Sequence, residues 1–398
     1  MRLKTIDKVH VRGKHVLVRT DFNVFTERER IRDDFRIRRT IPTLRHLLKQ
    51  RAKVIIATHF GRPLAEARDE SDMARFSTRK IARQLAKDLG KKVSFVSACT
   101  GPKVARAAAQ MRAGEILMLE NLRFHPEEEA NDQKFARDLA SCAAVYVNEA
   151  FSVCHRAHAS VEAITRFVPS YAGLLLAEEV RVLHGAYHKP KLPLVIVMGG
   201  AKIETKAKLI KRFFDKADNI LLGGIIANFV LKVKGIAIGK SVVSEEASGW
   251  LRELNWTSSK LHLPVDVVVA REVSEHTKTA TVGVGNVGDD EMILDIGRDT
   301  CELFSHITER AGTIIWNGPM GFFELSPFAD GTIALAKAMA RSRAFTIAGG
   351  GDSVVVLNEL GLSDNINFMS TGGGAMLDFL ADEPMPGIEA LQRKNGTH

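Results

Sequence analysis

Short apolar runs recur along the chain, separated by segments with helical spacing of apolar residues. In the first half HVLVRTDF (15–22), KVIIATHF (53–60), VSFV (93–96), EILMLENL (115–122) and AAVYVNEA (143–150) read as strands. They are short and rich in β-branched residues, with polar or basic residues at their ends. TIPTLRHLLKQR and STRKIARQLAKDL between them read as helices. Such alternation predicts a mostly parallel sheet covered by helices, with ligands gathered beyond the carboxyl ends of its strands.

The second half repeats this order with different punctuation. LPLVIVMGG, NILLGGI, VDVVVA, MILDIG, GTIIWNG and FTIAGGG read as strands, and several run directly into glycine. YAGLLLAEEVRVLHGAY (171–187) reads as a long helix between the halves, stopped by KPKLP, with the division near residue 185. The predicted class is α/β, in two lobes, each built on a mostly parallel β-sheet flanked by helices.

Composition narrows the partners. Among 398 residues, 56 Lys and Arg exceed 47 Asp and Glu, giving a net charge of +9. That excess suits capture of small anions or a solvated basic surface; the spread of the basic residues and the lack of zinc-finger spacing argue against nucleic acid. Four scattered cysteines without a CxxC pair fit a reduced, cytoplasmic setting. Neither a signal-peptide pattern nor a membrane-length apolar run occurs.

Chemistry-bearing side chains cluster at the strand ends of the first half. TDFN supplies Asp21 and Asn23, two residues apart. An acid there orients an arginine, accepts a ligand hydroxyl or caps the bend into a turn. RERIRDDFRIRR (28–39) reads as a solvated basic face from which charge alone selects no arginine. THFGRP (58–63) sets His59 and Arg62 around a glycine, with Pro63 stiffening the turn. LENLRFHPEEE (119–129) carries Arg123, and NEAFSVCHRAHAS (148–160) carries His155, Arg156 and His158. Several arginine forks converging from different strands suit a substrate with two anionic ends. Cys154 beside His155 shows no partner arrangement for a thiolate nucleophile, and the histidine spacing is incomplete for a soft metal.

The second half offers backbone instead. GGAKIETKAK (199–208) lacks the second glycine before lysine and the following Ser/Thr of a Walker loop. By itself it reads as a lysine-rich surface helix or as a helix start whose N–H groups, with Lys202 and Lys206 on one face, hold phosphate. WNGPMGFFE (316–324) ends in Glu324, suited to ribose hydroxyls or to a packed turn. IAGGGDS (347–353) places glycines before Asp352 and Ser353, so that amides approach phosphates while Asp352 helps hold Mg²⁺, directly or through water. STGGGA (370–375) is a further close-backbone loop.

Taken in order, VRTDFN, THFGRP, ENLRF, NEAFSVCHRAH, GGAKIETK, WNGPMGFFE, GGGDS and STGGGA closely resemble the phosphoglycerate kinase family over essentially the full chain. The resemblance implies reversible phosphoryl transfer between 1,3-bisphosphoglycerate and ADP, giving 3-phosphoglycerate and ATP with Mg²⁺, in glycolysis and gluconeogenesis. It implies a cytoplasmic monomer with no obligate protein partner, no nucleic acid and no membrane. Residues 1–170 would form the triose-substrate domain, 171–187 the interdomain helix and 188–380 the nucleotide-binding domain. Residues 381–398 would return toward the N-terminal lobe.

By the same resemblance Asp21, Asn23, Arg36, His59, Arg62, Arg123 and Arg156 bind the triose. Lys202, Lys206, Glu324, Gly350, Gly351, Asp352 and Ser353 bind the nucleotide. Arg36, Lys202, Gly372 and Gly373 stabilise the migrating phosphoryl group. Some positions depart from the family pattern. NDAFGTAHRAH appears as NEAFSVCHRAH, with Glu149, Ser152, Val153 and Cys154; Phe25 replaces a proline, Thr205 an aspartate, and Arg298 the proline of a GP pair.

Overall fold

The computed structural model describes residues 3–24, 26–27, 30–31, 33–67, 69–201, 203–243 and 255–393; Phe25 and Lys202 lie outside them, and of Thr205 only the backbone is described. The chain divides into two compact units: Met1–Arg181 with Glu383–His398, and Val182–Asp382.

The first unit is built on a six-stranded sheet in the order Val93–Phe95, Ile116–Met118, Lys53–Thr58, His15–Thr20, Val145–Asn148, Ser170–Ala172. All neighbours are parallel. Val16, Val18, Val54, Ile56 and Val147 are fully buried in its core with Leu44 and Leu47 of the helix Phe35–Lys49. Burying each such side chain contributes about 1.5–3 kcal/mol. Parallel strands covered on both faces need continuous apolar runs, which explains HVLV and KVIIA. The strands stop two to four residues earlier than the apolar runs suggest, at Thr20, Thr58, Met118 and Asn148. Thr20 pairs with Thr58 and Arg19 with Asn148, so Asp21, His59 and Glu149 emerge side by side at one edge. The helix expected over 171–187 runs from Leu174 to His188, because Tyr171 and Ala172 complete the sixth strand. The helix Pro386–Gln392 belongs to this unit, where Gly387 N–H donates to Cys154 O at 2.9 Å.

The second unit has a parallel sheet ordered Leu261–His262, Asn219–Leu222, Leu194–Met198, Thr313–Asn317, Phe345–Gly349, Phe368–Met369. The loops after four neighbouring strands carry GGA, GPMG, GGGDS and STGGG, again at one edge. VDVVVA and MILDIG do not join this sheet. Asp266–Ala270 pairs antiparallel with Ala280–Gly283 and Met292–Ile296 in a separate three-stranded sheet. The intervening segment folds as a strand rather than the helical crossover that a parallel pair requires.

Candidate active site

Asp21 is the hub of the first unit's carboxyl edge. Its Oδ2 receives Arg36 Nη1 at 2.5 Å and the Ser152 hydroxyl; its Oδ1 accepts from Asn23 N–H at 2.9 Å and lies 3.8 Å from His59 Nε2. Arg36 reaches it from the first turn of the helix Phe35–Lys49, whose start is fixed by Asp33 Oδ1 accepting from Phe35 N–H at 2.9 Å. Burial pushes the Asp21 carboxyl up, but the Arg36 charge and the hydrogen bonds from Ser152 and Asn23 outweigh it and bring it down to about 2. His59 accepts at Nδ1 from Arg19 Nη2 at 3.4 Å, so its proton sits on Nε2. Burial, then nearby arginines opposing Asp21, hold His59 well below the usual histidine range, and the ring is neutral.

Strand pairing ends at Thr20, before Asp21 and Asn23. The Asn23 side-chain oxygen accepts from Gly61 N–H at 2.9 Å, while Gly61 O accepts from Arg123 Nη1 at 2.9 Å. Gly61 thus links the two halves of the edge. It has φ +61°, and a Cβ there would lie 2.6 Å from the Phe76 ring, so glycine is required.

Beyond Gly61, Arg62, Arg123 and Arg156 from three separate loops line one cavity of about 370 Å³ with His125, Pro126 and Glu129. Arg123 Nε pairs with Glu129 Oε1 at 2.8 Å. Burial lowers the Arg123 pKa, opposed by Glu129 and aided by Arg19, Arg156 and Arg62. The like-charge crowding is what an anionic ligand would relieve. Asp21, Asn23, Arg36 and His59 stand outside this cavity wall, as a bonded cluster joined to it through Gly61.

Beneath the cluster lies a buried layer that motif reading missed. Arg19, 1% exposed, donates to Ser160 Oγ at 2.7 Å and lies 3.6 Å from Glu128, itself fully buried. Arginine inside the apolar run HVLVRT was the available signal. His158 sits against Glu128 at 3.9 Å and is brought down to about 3, by burial and then by Arg19, Arg123 and Arg156. Cys154 is buried and pushed up to about 12 chiefly by burial, which removes it as a thiolate nucleophile. Arg298 is an exposed residue at the start of the helix Arg298–Glu309, bonded to Glu302 at 3.2 Å.

In the second unit the glycine loops interlock. Lys206, 6% exposed, donates its ammonium to Gly199 O, and Cβ atoms at Gly200 or Gly318 would lie 2.9 or 2.7 Å from its Nζ. Gly318 N–H donates to Ser353 Oγ at 2.9 Å, and Asn317 Nδ2 to Gly349 O at 2.8 Å. Gly350, at φ +100°, lets the chain enter the helix Gly351–Glu359. A cavity of about 210 Å³ opens beside these loops, walled by Ile225, Val242, Pro264, Ile293, Met320 and Phe322, with Glu324 and Asp352 exposed on its lining. Asp295 also lines it; burial pushes this carboxyl up to about 7 against the N–H groups of Gly331 and Ile296. Lys206, Gly350, Gly351, Ser353, Gly372 and Gly373 stand outside that wall, and Gly372 N–H already donates to Ser370 Oγ at 3.0 Å.

Among the described residues no group of three His, Cys, Asp or Glu side chains could hold a metal, and no helix is long and apolar enough to cross a membrane.

Comparison with known proteins shows the family. The family model described as phosphoglycerate kinase matches residues 6–383. The phosphoglycerate kinase of Moorella thermoacetica is 44% identical over 394 residues, covering 98% of this chain and 99% of the relative. That of Pelotomaculum thermopropionicum is 42% identical, covering 99% of this chain and 100% of the relative. Solved phosphoglycerate kinases from Coxiella burnetii (TM-score 0.84, 36% identity, 98% and 99% coverage) and Pyrococcus horikoshii (0.86, 31%, 98% and 98%) share the fold. The chain belongs to the phosphoglycerate kinase family, whose kinases carry out phosphoryl transfer in glycolysis.

Proposed function

We propose that the arginine-lined cavity and the Asp21 cluster bind the triose, while the glycine-loop cavity binds ADP or ATP. Transfer runs reversibly between 1,3-bisphosphoglycerate and ADP. The observation that carries this reading is the meeting of Arg62, Arg123 and Arg156, from three loops of one sheet edge, around a cavity of about 370 Å³. Guanidinium forks hold phosphate and carboxylate oxygens with two bonds each, which suits a substrate charged at both ends.

The attacking oxygen of the ADP β-phosphate is already anionic, so the reaction needs no general base. A neutral His59, with one nitrogen occupied by Arg19, accords with a binding rather than a proton-transfer role. Catalysis then rests on alignment and charge stabilisation. Arg36 is fixed through one nitrogen on Asp21, leaving other N–H groups of its guanidinium for the migrating phosphoryl group. Lys202 adds a second cation, with Gly372 and Gly373 as backbone donors. The apolar wall with Ile225, Pro264 and Phe322 suits the base of the nucleotide and Glu324 its ribose hydroxyls, while Lys206 with Gly350, Gly351 and Ser353, on the glycine loops outside that wall, would hold its phosphates.

Asp352, an exposed acid on the cavity lining, fits Mg²⁺ held by one protein carboxylate and several phosphate oxygens. When bound, the ion would neutralise phosphate charge. We place the reaction in the cytoplasm, in glycolysis and in reverse in gluconeogenesis, on a monomer without an obligate protein partner.

Calorimetric titration tests the assignment. Arg62→Ala or Arg156→Ala should weaken 3-phosphoglycerate binding by about tenfold or more, the scale of one hydrogen bond to a charged group, and leave ADP affinity unchanged. Glu324→Ala should do the reverse. Equal losses for both ligands, or none for the triose in either arginine variant, would contradict the reading.

A further inference from the structure

The segment after the strand Val145–Asn148 turns through Phe151–Val153, and the half-buried Ser152 at the centre of that turn points its hydroxyl at Asp21. An ionised carboxylate has about four acceptor directions. Arg36 Nη1 and Ser152 Oγ take the two on Oδ2, and Asn23 N–H takes one on Oδ1. His59 Nε2, at 3.8 Å, is too far to take the last.

We infer that Ser152 is a specificity-determining residue for the triose: by locking Asp21 Oδ2 alongside Arg36, it turns the carboxylate so that one direction on Oδ1 is offered to the 2-hydroxyl of 3-phosphoglycerate. The inference rests on the reading that the Asp21 cluster faces the triose.

Two features support it. The single proton of Ser152 is committed to Asp21, so what Ser152 leaves for a ligand is also acceptor capacity. The position therefore favours a ligand group that donates, a hydroxyl, over a further anionic oxygen. The carboxylate is also held fully ionised near neutral pH, since Arg36 and its other partners outweigh the effect of burial. A glycine or alanine at position 152 would remove one of the two contacts on Oδ2 and loosen rotation about the Cβ–Cγ bond, leaving Arg36 on Oδ2 and Asn23 N–H on Oδ1 as the tethers.

The test compares 3-phosphoglycerate with its 2-deoxy analogue, 3-phosphonooxypropanoate, by calorimetry on the full chain. Wild type should prefer the hydroxylated ligand. Ser152→Ala should weaken 3-phosphoglycerate by about tenfold and leave the deoxy ligand unchanged, so that the preference collapses; Ser152→Thr, which keeps the hydroxyl, should restore it. Equal weakening of both ligands would mean that Ser152 only supports the turn, and unchanged binding of both would mean that it does nothing; either result overturns the inference. Failure of wild type to bind 3-phosphoglycerate at all would overturn the triose reading, and the inference with it.

Discussion

Glu149 is a buried carboxyl whose partners are all donors, and its titration should be visible in the stability of the protein. It is 1% exposed and accepts from the Thr43 hydroxyl and from Leu175 and Leu176 N–H at 3.2 and 3.1 Å, at the start of the helix Leu174–His188. Gly173 leaves no space for a Cβ against it, and Arg39 is the charged group that acts on it. Burial raises its pKa from 4.5 to about 7, although the three hydrogen bonds and Arg39 pull the other way. The folded chain therefore holds this proton more tightly than the unfolded chain. The advantage is full below pH 4.5 and is lost as the pH rises through about 7.

At about 1.4 kcal/mol per pH unit the loss amounts to about 3 kcal/mol between pH 4.5 and 8. Glu149→Gln removes the titration. Urea unfolding of both proteins across that range should show wild type losing about 3 kcal/mol relative to the Glu149→Gln variant as the pH rises. Comparing one pair across pH cancels the fixed cost of facing an amide N–H₂ toward backbone donors. A difference that stays flat, or that moves in favour of wild type at high pH, would refute the account of this carboxyl.

Other consequences follow from single positions. Lys202→Ala should lower turnover more than nucleotide affinity; equal losses in kinetics and binding would remove its role at the migrating phosphoryl group. Gly350→Ala forces a side chain onto φ +100° and sets a Cβ 3.0 Å from Asn317 Nδ2, so it should cost about 1–3 kcal/mol and loosen ADP binding. Gly185→Ala, in a helix with open space around the new Cβ, should instead stabilise by up to about 1 kcal/mol in thermal unfolding. Cys154→Ala should keep full turnover, because the thiol is buried and raised to about 12; lost activity in a folded variant would reopen a nucleophilic role.

Apolar runs and glycine punctuation made the parallel sheets and the residues at their carboxyl ends legible in the sequence. Arg62, Arg123 and Arg156 could be picked as strand-end arginines before any geometry. Arg36 could not, because RERIRDDFRIRR presents many equivalent charges; the start of a helix at Phe35 is what aims one of them at Asp21. Ser152 and Asp21 are 131 residues apart, Arg19 and Ser160 141, and Thr43 and Glu149 106. Such pairs follow from strand order, which local periodicity does not encode. The antiparallel sheet escaped for a related reason: Asp266–Ala270 is apolar enough for either sheet, and its exposed partner Ala280–Gly283 carries no strand-like apolar run.

The proposed reaction is phosphoryl transfer between a carboxylate-bearing triose and a nucleotide. Purified protein, supplied with ATP, Mg²⁺ and 3-phosphoglycerate, should form 1,3-bisphosphoglycerate and ADP, with turnover depending on both substrates. A folded protein that binds both ligands and forms no 1,3-bisphosphoglycerate would contradict it.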